Sequence, residues 1–131
     1  MTQMDEDAPA LAGVAAQAVH VLNDATCASV QSPGLDGLTD TEAVVVSLTR
    51  LAEDLQDTAA HLDDFLIEQL TEDRITGHDG SDATASAAVL SARHALEQVR
   101  VMAGHMATLL NQAELAMLAL RSTAAPERGC S

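Results

Sequence analysis

Apolar residues recur along this chain in alternating steps of three and four, the spacing of one face of an α-helix, in three separate segments. The first segment runs from Ala8 to Val30, with Leu11, Val14, Ala18, Val21, Ala25 and Ala28 on its apolar face. The second runs from Asp40 to Arg74 and carries Val44, Leu48, Leu51, Leu55, Thr58, Leu62 and Phe65, with Val45, Ala52, Ala59 and Leu66 widening the face on one side. The third runs from Ala83 to Ser122 through Val89, Ala92, Leu96, Val99, Ala103, Met106, Leu110, Ala113, Met117 and Leu120, with a flanking row of Ala88, Ala95, Met102, Leu109 and Ala116. Nowhere does the pattern alternate with the period of two that a half-buried strand requires, so the chain is expected to be all-α.

The breaks between segments are chemically clear. Ser32, Pro33, Gly34 and Gly37 interrupt the first pattern, and Gly77 to Ser81 interrupt the second. Asp7 before Pro9 suits a helix start, because proline's missing N–H has no partner in a first turn. Thr39 and Glu42 have the spacing of a capping box, Gly77 is placed to end the second helix, and Ser81 or Asp82 to cap the third. The expected organisation is a short N-terminal stretch over residues 1–7, one helical domain over 8–122, and a C-terminal tail over 123–131.

Length and face width set the architecture. A straight helix from Ala83 to Ser122 would reach about 60 Å, whereas a compact globule of this size has a radius of gyration of about 14 Å. The third helix must therefore belong to an elongated structure or break, with Gly104 the weak point. Its pattern keeps phase across Gly104, which favours an elongated three-helix bundle, or a long antiparallel helical hairpin with an added N-terminal helix. Apolar faces three positions wide on so thin a body are expected to be completed by dimerisation. The association seam is assigned to Leu48, Leu51, Leu55, Leu62 and Phe65 on the second helix and to Leu96, Val99, Met106, Leu110, Met117 and Leu120 on the third. The first helix offers mainly alanine and is expected to be held least firmly.

Composition narrows the function. The 131 residues carry six Arg, no Lys and twenty Asp plus Glu, for a net charge of −14, with Phe65 the one aromatic. Nucleic-acid binding needs cations for phosphates and rings for bases, and anionic membrane surfaces repel acidic chains, so neither partner is expected. Apolar residues at 47% exceed what a disordered acidic tail contains. The first residues are acidic and lack a secretory pattern, so a cytoplasmic protein is expected, with leaderless export left open. Cys27 and Cys130 are too far apart in sequence, and too few, for a disulfide framework or a zinc motif.

Candidate chemistry is sparse. Glu53, Asp57, His61, Asp64 and Glu68 line one side of the second helix, but helical metal centres draw their ligands inward from several helices, so a solvated acidic face is expected. Asp63 is also assigned to the polar side, where its substitution would cost little. Arg93, Arg100 and Arg121 recur beside the third helix's seam at multiples of seven, placed to pair with Asp54, Asp57 or Glu68 and so set register. No G-x-S-x-G elbow, phosphate-cradling loop or metal spacing is present, so neither enzymatic activity nor a cofactor is expected. The near absence of rings disfavours a small-molecule pocket.

Two stretches resemble known families. His94, Ala95 and Leu96, with Gly104 ten residues after the histidine, resemble the phosphoacceptor helix of histidine-phosphotransfer domains, which implies His94 as the acceptor; Glu97 and Gln98 depart from that motif, and a carboxylate there would repel a phosphoryl group. The paired second and third helices are similar in outline to the hairpins of WXG100-type substrates of type VII secretion and their partner proteins, which implies a secretion substrate or partner protein, although the chain has no Trp for the turn and the first helix is an addition. The residues themselves point first to a helical interaction protein, acting through its apolar faces as a homodimer or with another protein, with an acidic shell suited to regulating a basic partner.

Overall fold

The computed structural model of the protein describes residues 7–27 and 37–120. Within them lie three helices, α1 (Ala8–Ala25), α2 (Leu38–Thr71) and α3 (Asp82–Met117), and no strand. Ala28, Val30, Arg121, Ser122 and Cys130, to which the sequence pattern assigns roles or boundaries, lie outside the described residues. The chain divides into two units between Thr41 and Glu42: α1 belongs to the first, and α3 with nearly all of α2 to the second.

In α1, Pro9 occupies the first turn, and Asp7 stands at the N-cap without a side-chain hydrogen bond. The helix ends where the Thr26 hydroxyl donates to the Leu22 carbonyl at 2.9 Å. No residue of α1 is buried, and Val14 and Val21 are both exposed.

The ends of α2 differ from those the motifs predict. The helix begins at Leu38, directly after Gly37, whose φ of +112° suits only glycine. Thr39 thus falls inside the first turn, and the expected capping box does not mark the helix start. At the other end the terminator is Asp73, in the left-handed region at φ 58°. The Arg74 N–H donates to the Gln69 carbonyl at 2.9 Å and the Asp73 N–H to that of Leu70 at 3.1 Å, a Schellman closure with aspartate in glycine's usual place. Gly77 serves the following turn instead. A Cβ there would lie 2.5 Å from that of Thr84. In this turn Asp79 accepts from the Ser81 N–H at 2.9 Å and from the Thr84 hydroxyl at 3.0 Å, while Ser81 Oγ accepts from the Thr84 N–H and caps α3. These bonds hold the Asp79 carboxyl below the usual carboxylate range, the Ser81 N–H contributing most.

The turn sends α3 back along α2. Asp63 meets Arg93 near the turn, and farther along Gln56 packs on Gly104, so the two helices are antiparallel and in a fixed register. α3 runs unbroken through Gly104, and its 36 residues span about 54 Å. Gly104 is a point of close approach, not a break.

Small side chains make the contact between α2 and α3. Ala52, Ala59, Ala85, Val89, Ala103 and Ala107 are the buried apolar residues among those described, and Ala52 is fully covered. On α2 the contact row is Val45, Thr49, Ala52, Gln56, Ala59, Asp63 and Leu66; on α3 it follows Val89, Leu96, Arg100, Ala103, Ala107 and Leu110. On α2 this row lies one position past the apolar seam read from the sequence, whereas on α3 Val89, Leu96, Ala103 and Leu110 belong to both. The seam members Leu55, Leu62 and Phe65 on α2 and Val99, Met106 and Leu120 on α3 are exposed; Leu48, Leu51, Leu96, Leu110 and Met117 are half-buried. Each helix carries two adjacent apolar stripes, and two rods meeting along one line can cover only one of them. Alanine stripes let two helix axes approach closely, so short side chains fill the line of contact.

Candidate interaction face

The stripe of larger side chains lies beside the contact row, on the same flank of the hairpin for both helices. Going round each helix from its buried alanines, one side carries Leu55, Leu62 and Phe65 on α2, and Val99, Met102, Met106 and Leu109 on α3, all exposed; Leu90, Val101 and Leu115 are exposed on the other side of α3. Because the helices are antiparallel, the sides bearing Leu55 and Val99 face the same way. Where they meet, Leu55, Val99, Met102, Ala103, Met106 and Leu109 line an open groove of about 460 Å³, with Gln98 and His105 at its edge. Met102 is 64% exposed and Phe65 55%, values far above those of core residues in a helical pair. Soluble monomers rarely leave so continuous a row of large apolar side chains in water.

On α2 the far flank and the back of the helix are polar. Glu53, Asp57, His61, Asp64 and Glu68 are all exposed, as the sequence leads one to expect for a solvated face. Among the described residues no three His, Cys, Asp or Glu side chains come together as a metal site, and no helix is long and apolar enough to cross a membrane. His94 is exposed on α3, and His20 on α1 lies 4.0 Å from Asp24.

Charge pairing across the hairpin runs through a residue the sequence placed elsewhere. Arg93 Nε donates to Asp63 Oδ1 at 2.7 Å and Nη2 to Oδ2 at 3.3 Å, a two-pronged bridge between α3 and α2. The Asp63 carboxylate raises the pKa of the Arg93 guanidinium through that bond. Arg100 turns instead to Glu97 on its own helix, and this bond holds the Glu97 carboxyl below its ordinary range. Asp57 and Glu68 take no part in an ion pair among the described residues, and Arg121 lies outside them. Asp63 shares the contact row because it follows Ala59 by four residues, as Gln56 follows Ala52. That spacing is the signal that could have found both, had the alanine row been read as the contact. No protein-family model, curated protein or solved structure matches the chain.

Proposed function

We propose that this protein is a non-enzymatic interaction module that binds protein through the open apolar face of the α2–α3 hairpin. One observation carries the reading: the hairpin closes on its alanines and leaves the adjoining stripe of Leu, Met, Val and Phe uncovered. Helix pairs of this kind gain most of their remaining stabilisation when a further helix covers such a stripe, at roughly 25 cal/mol for each Å² of apolar surface removed from water. The groove at Met102 and Met106 is lined by flexible thioethers, which adapt to the shape of an incoming side chain. The acidic flank bearing Glu53, Asp57 and Asp64 gives the module a field that repels acidic chains and attracts basic ones.

The test is light scattering on the purified chain, with any protein that co-purifies, followed by Leu62→Asp and Met106→Asp. Both sites are exposed, so helicity by circular dichroism is expected to be retained while self-association or partner retention is lost. A strict monomer that retains no partner, or association untouched by both substitutions, would refute the reading.

A further inference from the structure

We infer that the open face is covered by a second copy of this chain, in a dimer whose two-fold axis runs parallel to the helices, so that α2 of each copy packs on α3 of the other. The inference rests on the interaction reading above and names the occupant and its orientation.

The first observation is the absence of charge. In a chain with 26 charged residues, none falls on the open stripe between Val44 and Gln69 on α2 or between Ala88 and Ala116 on α3. A face that opposes a copy of itself must avoid like charges at every position it presents.

The second observation is the difference between the two edges of that face. The outer edge of α2 carries Ser47, Asp54, His61 and Glu68 at seven-residue intervals. The outer edge of α3 carries Ser91, Gln98, His105 and Gln112, with no carboxylate. All eight are exposed. A two-fold dimer can close over this face in two ways. With the axis perpendicular to the helices, α2 lies on α2 and the two acidic edges meet. With the axis parallel to them, each acidic edge lies along the acid-free edge of the other copy, and every neighbouring helix pair is antiparallel. Charge selects the second.

The third observation is size. Asp63 stands level with Arg93, and Gln56 level with Gly104. An axis parallel to the helices keeps every residue at its own level in the other copy. The partner subunit's Phe65 then arrives beside Arg93, where the open stripe of α3 is Ala88, Ala92 and Ala95. The partner subunit's Leu55 arrives at the Met102–Met106 groove. Bulky residues thus meet small or flexible ones at both levels. His105 faces the partner subunit's Asp54.

The experiment uses the full chain. Light scattering is expected to give twice the 13.6 kDa of one chain. In a Cys27→Ser, Cys130→Ser background, Asp54→Cys with His105→Cys is expected to yield a covalent dimer under mild oxidation, while each single cysteine does not. Within one chain those two positions lie on opposite outer edges, with both helices between them. His105→Glu, which sets a carboxylate against Asp54, is expected to weaken the dimer about tenfold, and Asp54→Lys in the same chain to restore it. A covalent dimer from Asp54→Cys alone marks the perpendicular axis and overturns the arrangement. So does a dimer in which the paired cysteines never cross-link. A monomer that holds a different protein through Leu62 and Met106 overturns the second copy but keeps the interaction reading. A monomer that holds nothing overturns both.

Discussion

The two flanks of one helix pair behave in opposite ways. On the closed side the residues are small, and they are buried: Ala52 and Ala103 are covered almost completely. On the open side the residues are large, and Leu62, Phe65 and Met102 are 49%, 55% and 64% exposed. Size and burial are thus inverted relative to an ordinary core, where the bulky side chains go inside. The inversion follows from geometry. Close approach of two helix axes excludes long side chains from the line of contact, so these collect at its margin. A hairpin built this way holds its own register while leaving large apolar side chains exposed.

The sharpest way to break this pattern is to enlarge the closed side. Ala52→Leu forces a four-carbon side chain into a contact with no space, and is expected to destabilise the hairpin by about 1–3 kcal/mol in urea unfolding. The reverse change on the open side, Leu55→Ala, is expected to cost less than about 1 kcal/mol in the same measurement at concentrations where the protein is monomeric, because Leu55 is 42% exposed. In a conventional core, shortening the leucine would be the costlier change. If Leu55→Ala proves the more damaging of the two in the monomer, the assignment of closed and open sides is wrong.

How much of this was legible in the sequence follows from the same geometry. The helical class and the three segments are plain in the spacing, because steps of three and four fit no other element. The antiparallel pairing of the second and third segments is set by the short polar turn at Gly77 to Ser81. The face that makes the contact is harder to see. Both stripes on each helix keep the same period, and hydrophobic weight favours the leucines over the alanines. Choosing between them requires knowing how closely two helices approach when no third lies between, which no single helix encodes. The same slip put Asp63 on the polar side, although its row, shared with Ala52 and Ala59, is the buried one. Helix ends were displaced for local reasons. Aspartate took the left-handed position at Asp73 before the chain reached a glycine, and Gly37 started α2 ahead of the Thr39 box.

The Asp63–Arg93 bridge lies on the closed side and is the next test in size. Asp63→Asn removes one arm of a two-pronged contact between helices, whereas Asp64→Asn alters an exposed carboxylate on the polar flank. The first is expected to lower Tm measurably and the second to leave it unchanged, in thermal melts at moderate salt. Equal melting temperatures would show that the alanines alone fix the register.

The turn that joins the helices offers a pH-dependent test of smaller size. The Asp79 carboxyl titrates below its ordinary range in the folded protein, owing first to the Ser81 N–H and then to the Thr84 hydroxyl. A carboxyl whose pKa is depressed by folding contributes stability above its unfolded pKa, and this is lost as pH falls through the folded value. Asp79→Asn is therefore expected to lower Tm at neutral pH, with the gap from the parent protein narrowing as the solution is acidified below the usual carboxylate range. A gap that is constant with pH would mean that Asp79 acts through the shape of the turn and not through its charge.

The smallest expected effect concerns the one place where the closed side goes below alanine. A Cβ at Gly104 would lie 2.7 Å from Gln56 Nε2 and 3.2 Å from its Cδ, closer than such atoms come without a shift. The obstacle is the far end of a flexible side chain, not backbone, and it can swing toward solvent. Glycine within a helix costs roughly 0.8–1.0 kcal/mol relative to alanine. Gly104→Ala is therefore expected to be stabilising by no more than about 1 kcal/mol, the helix preference being offset by the displacement of Gln56. In a Gln56→Ala background the obstacle is gone, and the same substitution is expected to show the larger share of that preference. A double-mutant cycle in urea measures the difference directly. Additive effects would mean that Gln56 does not rest on Gly104, and that the glycine is there for a reason other than the approach of α2 to α3.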